Sequence, residues 1–425
     1  MSNVGRRAVL GPVVRRAPAV VAALALTALA PAPALAQSAD AGLRRSLSSA
    51  MRSAGPTAGA WVYDATDGRK LYSLRGRTPR VLASNTKLFT TAALLERLGP
   101  STTFATRVSG TGAIDATGTW QGNLVLRGGG DPTFGSRAYA SRNYLAGGGT
   151  EDLAAQVLAR GVRRVRGRVL GDEGLFDSLR GGPDSNYGVS RYVGPLSALT
   201  YDRARAPGGG SSANPPLQAA SRLDAALERA GVEVSARPRV GRLTKGGTDL
   251  AAVTSPPVAR LAEITNVRSD NFFAETLLKH LSSRPGARGS TRAGAAEAVA
   301  AAAEIGVTAQ LADGSGLSRF NRASPEQVVR LLDELRGRPT YAAFSSSLAV
   351  AGREGTLTDR LRSAPARGRC RAKTGSLTGV SALSGYCDAR GGDLVVFSIL
   401  MQRGNLAGAR RLQDRMVQAI AGYRG

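Results

Sequence analysis

Between residues 101 and 257 the chain changes character, and that change limits the folds open to it more than any other feature. On either side, strand-like and long helical patterns predominate. Inside, short β-like runs such as 122–126 and 164–170 alternate with glycine-rich breaks and two helical stretches near 151–160 and 217–230. Pro256-Pro257 closes the block. Before it, 58–63 and 70–74 read as two strands joined at Asp67-Gly68, and 84–98 reads as a helix. Ser84 is its expected N-cap, Leu88, Ala92 and Leu95 its buried stripe, and Gly99-Pro100 its stop. After it, helical patterns run over 258–282, 291–305 and 324–336, strands over 368–375, 380–387 and 393–401, and a last helix over 405–421. Strands at both ends of one unit with an unlike block between them predict a domain interrupted by an insertion. The expected division is 37–100 with 258–425 for the outer domain and 101–257 for the inserted one.

The first 36 residues read as an export signal. Arg6, Arg7, Arg15 and Arg16 form a positive start, 19–30 an apolar core, and Ala34-Leu35-Ala36 a cleavage site, so the mature chain is expected to begin near Gln37. An N-terminal anchor helix is the alternative, although Pro18 and Pro31 bound an apolar run shorter than the roughly 20 residues of a bilayer span. The Arg6-Arg7 pair leaves both twin-arginine and general export open. The expected location is periplasmic or cell-wall associated. Cleavage removes four arginines and no acid, lowering the formal charge from +26 to +22. Such a chain is drawn to anionic wall or membrane surfaces. Scattered arginines and only 5% aromatic residues argue against nucleic acid.

Only five lysines occur (Lys70, Lys87, Lys245, Lys279, Lys373) against 52 arginines. A lysine kept in so arginine-rich a chain draws notice, because an amine can lose its proton near neutral pH and a guanidinium cannot. The two cysteines, Cys370 and Cys387, fall opposite each other if Thr378-Gly379 is a hairpin turn, and are expected to form a disulfide in an exported protein; two buried thiols are the alternative. With one histidine and no third cysteine, no metal site is expected. The run Gly128-Gly129-Gly130 lacks the lysine of a phosphate loop and reads as a tight turn, so no cofactor is expected.

Three short motifs occur in order: Ser84-Asn85-Thr86-Lys87 opening a helix, Ser269-Asp270-Asn271 between helices, and Lys373-Thr374-Gly375 on a strand before a hairpin. Each is weak alone, and together they form the known motif set of serine β-lactamases and penicillin-binding proteins. Ser84 and Lys87 stand one helical turn apart on one face. A helix N-terminus presents N–H groups and positive dipole to an oxyanion. Lys87 can be the base for Ser84 if burial and a positive neighbour, Lys373, lower its pKa. Ser269 can relay a proton to the leaving amine, and Asn271 can bond a substrate amide. Lys373, Thr374 and Ser376 would line a strand edge that takes an extended peptide and its terminal carboxylate, with Gly375 between them. The N–H groups of Ser84 and Ser376 would form an oxyanion hole. His280 is expected to be a packed residue and no part of a catalytic triad.

Beyond these motifs, the stretches 84–95, 128–134, 269–277, 313–321, 352–357 and 371–386 resemble the D-alanyl-D-alanine carboxypeptidase/endopeptidase family of class C low-molecular-mass penicillin-binding proteins. The resemblance implies an α+β fold. A β-lactamase/transpeptidase-like domain, an antiparallel sheet flanked by helices, would be interrupted by a smaller β-rich domain. The 181 residues between Lys87 and Ser269 are far too long for a loop. It also implies acylation of Ser84 by peptidoglycan stem peptides, release of D-Ala, cleavage of D-Ala cross-links as a companion activity, and covalent inhibition by β-lactam antibiotics. Relatives often have a longer second insertion after Tyr201-Asp202-Arg203. Here about a dozen residues precede the helix near 217, too few for a third domain.

Overall fold

A computed structural model describes residue 11 and residues 32–425 apart from 207, 244 and 245. The arginines and apolar core of the expected export signal, and Lys245, lie outside the described residues. Ala34-Leu35-Ala36 falls within the helix Ala32–Ala54.

Six antiparallel strands form the first sheet, in the order Ala349–Val350, Cys370–Leu377, Val380–Asp388, Leu394–Gln402, Gly59–Asp64 and Arg69–Leu74. Its two central strands are buried on both faces, which explains the nearly unbroken apolar run of Leu394–Gln402 and the small residues and paired hydroxyls of Val380–Asp388. Alternation along Leu394–Gln402 sends Val395, Phe397, Ile399 and Met401 to one face and Val396 and Leu400 to the other. The first face packs against the helices Ala32–Ala54, through Leu43, Leu47 and Met51, and Leu406–Ala421, through Leu412, Met416 and Ile420. The second packs against Thr86–Leu98 and the helices Val258–Val267, Asn271–Ser282, Thr291–Glu304 and Pro325–Glu334. The helix Ala32–Ala54 was not anticipated, because 37–57 offers no capping signal that separates it from a linker.

The helix Thr86–Leu98 is buried all round as far as Leu95, not along a stripe, because it lies between the sheet and the other helices. Burying Leu88, Phe89, Leu94 and Leu95 stabilises by about 1.5–3 kcal/mol each. Gly99, at φ 82, ends it as expected. Ser84 is not its N-cap. It sits in a separate 3-10 turn, Ala83–Asn85, and the cap position Asn85 makes no capping bond. The 258–282 pattern is likewise two helices, broken where Ser269 adopts the left-handed φ of 57°.

The second sheet lies wholly between Ala105 and Thr254: Thr119–Trp120, Arg164–Asp172, Leu124–Arg127, Ala105–Gly110 and Thr248–Thr254 in order, with Glu233–Val240 also beside Arg164–Asp172. Its pairs with Arg164–Asp172 are parallel, and its core takes in Leu153 and Val157 of the helix Thr150–Ala159 and Leu223 and Leu227 of the helix Pro215–Arg229. The glycine run is less a turn than a seam. A Cβ on Gly128 or Gly129 would stand 2.2 Å from the Ala198 carbonyl oxygen or 2.1 Å from that of Ala105. Gly130, at φ 69, has its carbonyl 3.0 Å from His280 Nε2.

Cys370 and Cys387 are register partners on adjacent strands and are joined by a disulfide, Cα to Cα 4.1 Å.

Candidate active site

The site forms where the edge of the first sheet meets the start of Thr86–Leu98. Asn85 Nδ2 donates to Ser384 Oγ at 2.6 Å, and Ser384 Oγ to Ser398 Oγ at 2.9 Å. This buried polar chain ties the Ser84 turn to the two central strands. Ala83 holds φ 46, a strained value for a residue with a Cβ, and a Cβ on neighbouring Gly316 would lie 1.9 Å from the Ala83 carbonyl oxygen. Gly375 permits a similar approach, since a Cβ there would be 3.1 Å from the Ser84 nitrogen. The motif strand thus passes directly beside the serine. It pairs with Ala349–Val350 only through Arg371 and Ala372, so that edge is open from Lys373 onward.

Lys87 is fully buried, and its Nζ donates to Ser84 Oγ at 3.1 Å, Asn271 Oδ1 at 2.7 Å and the Ser315 carbonyl at 2.5 Å. Burial pulls its pKa down from 10.5 to about 8, against the opposing pull of Asp313, Glu275 and Asp270. The expected positive neighbour, Lys373, is itself driven well below 10.5, first by burial and then by the Lys87 charge, and its Nζ donates to the Thr374 carbonyl. An anion docked beside it would raise that pKa again.

Ser269 lies half-buried in the same cleft, which Ser84, Asn271, Thr374 and Ser376 also line. Asn271 spans the two halves of the molecule: its Oδ1 accepts from Lys87, and its Nδ2 donates at 3.2 Å to the Tyr192 carbonyl. It braces the lysine as well as facing the cleft, a role the motif alone did not suggest. Thr374 Oγ1 donates to Thr356 Oγ1 at 2.8 Å, and Arg410 Nη2 to Ser376 Oγ at 3.0 Å.

Four participants escaped the sequence reading. Glu275, one helical turn after Asn271, accepts at Oε1 from the N–H groups of Gly314 and Ser315; burial, then the charge of Asp313, pushes its pKa up to about 8. Asp313 accepts from the N–H groups of Gly316 and Ser318 and from Asn321 Nδ2. These two acids fold the 313–318 loop so that the Ser315 carbonyl meets Lys87. Arg203 grips Asp270 through two 2.8 Å bonds and covers the Phe272 ring, from a turn in which Asp202, Arg203 and Ala204 all hold positive φ. Arg410 was one arginine among 52. Glu275 and Asp313 lay inside the resemblance without an assigned role; for Glu275, an acid one helical turn from a motif asparagine was the available signal.

His280 is buried away from Ser84, stacked on Phe104 with centroids 3.7 Å apart, and its pKa is lowered to about 4 by burial. Among the described residues, no cluster of three His, Cys, Asp or Glu side chains is placed to hold a metal ion.

With this geometry in view, comparison with known proteins is decisive. The family model of the D-Ala-D-Ala carboxypeptidase 3 (S13) family matches residues 43–208 and 198–423. The chain belongs to that family. It is therefore an enzyme, a peptidase of the D-Ala-D-Ala carboxypeptidase kind. The two matched segments meet beside the short loop after Arg203, where a longer second insertion was expected to be missing. A D-alanyl-D-alanine carboxypeptidase of Actinomadura sp. (strain R39) is 31% identical, over 97% of this chain and 91% of its own length. Carboxypeptidase DacB of Mycolicibacterium smegmatis is 31% identical over 82% and 76% respectively. In fold, the chain is similar to penicillin binding protein 4 of Haemophilus influenzae, with TM-score 0.74, 20% identity, and 88% and 99% of the two chains covered.

Proposed function

We propose that this S13-family peptidase is exported and works through an acyl-enzyme on Ser84, removing the terminal D-Ala of peptidoglycan stem peptides and also cutting D-Ala cross-links. The two-part reading, 37–100 with 258–425 around 101–257, belongs to the same proposal. The observation behind the mechanism is a fully buried lysine with pKa about 8 whose Nζ lies 3.1 Å from Ser84 Oγ. Such an amine is partly unprotonated near neutral pH, and in that form it can take the serine proton.

Ser84 Oγ attacks the carbonyl of the penultimate D-Ala while its proton passes to Lys87 Nζ. The oxyanion settles against the N–H groups of Ser84 and Ser376. When the C–N bond breaks, Ser269 passes a proton from Lys87 to the departing amine. Water then attacks the Ser84 ester, again giving its proton to Lys87, and frees the shortened peptide and the serine hydroxyl. The peptide lies as an added strand along the open edge from Lys373 to Ser376. Its carboxylate meets Lys373, Thr374 and Ser376, with Arg410 adding positive charge. A β-lactam follows the same first step, but its amine stays tethered after ring opening, which keeps the acyl-enzyme alive.

The test is D-Ala release from a synthetic stem pentapeptide by the mature chain. Release at wild-type rates by Ser84→Ala would overturn the assignment; loss of release, with folding intact, is the expected result.

A further inference from the structure

A second cleft, of about 620 Å3, opens away from Ser84 and shares no lining residue with its cleft. Among the described residues, five guanidinium side chains line it, Arg107, Arg127, Arg242, Arg284 and Arg288, with Asp172 as the one lining carboxylate. Arg107 and Arg127 come from strands of the second sheet, and Arg242 follows another. Arg284 and Arg288 come from a turn beyond the helix Asn271–Ser282, held by reciprocal backbone bonds between Arg284 and Ala287. The cleft therefore lies at the seam between the two sheets, with rigid elements on both sides.

Among the described residues, these five guanidiniums share three carboxylates. Arg107 meets Asp249 at 3.1 Å and Arg284 meets Glu297 at 2.6 Å. Asp172 stands 3.9 Å from both Arg127 and Arg242, and its Oδ1 already accepts from the Gly174 N–H at 2.8 Å. Among the described residues, Arg288 has no ion pair. Like charges gathered in one concave site make a field that favours an anion. Planar forks suit oxyanions with two or more equivalent oxygens, and among the described residues no lysine lines the cleft. Guanidiniums spread over such a volume suit repeated anions better than a single one. The one aromatic in the lining, Phe104, is stacked on His280 and offers no face to a base, which disfavours nucleic acid. The Asn271–Ser282 helix runs from the Ser84 cleft toward the arginine cleft and is about 18 Å long at 1.5 Å per residue.

We infer that this arginine cleft binds the phosphodiester groups of an anionic envelope polymer and so holds the enzyme on its wall, about one helix length from the reacting serine. Binding of this kind does not depend on the role of Ser84.

Isothermal titration of the mature chain tests it, with a poly(glycerol phosphate) oligomer, inorganic phosphate, and polyglutamate and a single-stranded oligodeoxynucleotide of matched charge as probes. The oligomer is expected to bind with unit stoichiometry and more tightly than the other three. The double variant Arg127→Gln/Arg288→Gln should weaken it at least about tenfold, the scale of one lost charged hydrogen bond. Arg229→Gln, at the exposed far end of the helix Pro215–Arg229 from the cleft, should leave it unchanged. The double variant should acylate with penicillin at the wild-type rate, which shows that it is folded. Equal loss in both variants, no loss in either, or tighter binding of polyglutamate, the oligonucleotide or free phosphate than of the oligomer would overturn the inference.

Discussion

The two sheets of this peptidase bury apolar faces by different means. The first is wholly antiparallel and covered on both faces, and a chain of interior hydroxyls leads to the candidate reaction centre, from Ser398 through Ser384 to Asn85, beside Ser84. The second is built around parallel pairs, and its strand Glu233–Val240 has no fully buried residue. It reaches the reaction centre only across the seam. Arg203 grips Asp270, the Tyr192 carbonyl holds Asn271, and Asp177 pairs with buried Lys279 at 2.6 Å. The first sheet and the turns and helices packed on it thus carry Ser84, Lys87 and Ser376, and loops of the 101–257 block brace the turn that bears Ser269.

The largest expected effect lies on the first side of that comparison. Lys87→Arg keeps the charge but cannot give up a proton, so penicillin acylation should fall by about 10²–10⁴-fold. With Lys87 as the proposed base, the unprotonated amine is the active form. Acylation should therefore rise about tenfold per pH unit below pH 8, level off above it, and follow the Lys87 pKa of about 8. A flat profile from pH 6 to 9, measured by stopped-flow acylation, would remove Lys87 as the base.

The brace is tested next. Arg203→Gln leaves Asp270 without its partner and frees the left-handed turn at Ser269, and acylation should slow by about tenfold, equivalent to about 1.4 kcal/mol. Arg203→Lys should restore part of the rate. If Arg203→Gln acylates normally, the second sheet does no more than fold nearby.

The disulfide should matter least to chemistry and most to stability. Replacing both Cys370 and Cys387 by alanine opens a loop of 17 residues' separation and should lower unfolding free energy by about 3 kcal/mol. Acylation at 25 °C should stay within about twofold, because the bond lies at the far end of the motif strand from the reacting serine. Denaturant unfolding beside acylation rates separates the two effects.

Much of this was legible in the sequence because it rests on local pattern. Strand alternation, the glycine stop at Gly99, the ordered motifs and the pairing of Cys370 with Cys387 are all written within short windows. What was not legible depends on burial and long-range contact. Ser84 was expected as an N-cap, but the packing of Gly316 and Gly375 against its turn holds it just ahead of the helix, in a 3-10 conformation. Burial and the Lys373 charge were both expected to depress Lys87; removal from water is the larger cause on each amine, and only the folded chain fixes how dry each one is. Arg203 and Arg410 could not be told from 50 other arginines until the chain brought them to the cleft.

The central claim is that Ser84 forms the acyl-enzyme. The most direct measurement is peptide mapping by mass spectrometry after brief exposure of the mature chain to penicillin. One adduct on the peptide containing Ser84, absent in Ser84→Ala, is the expected result; an adduct on another residue, or one that persists in Ser84→Ala, would contradict it.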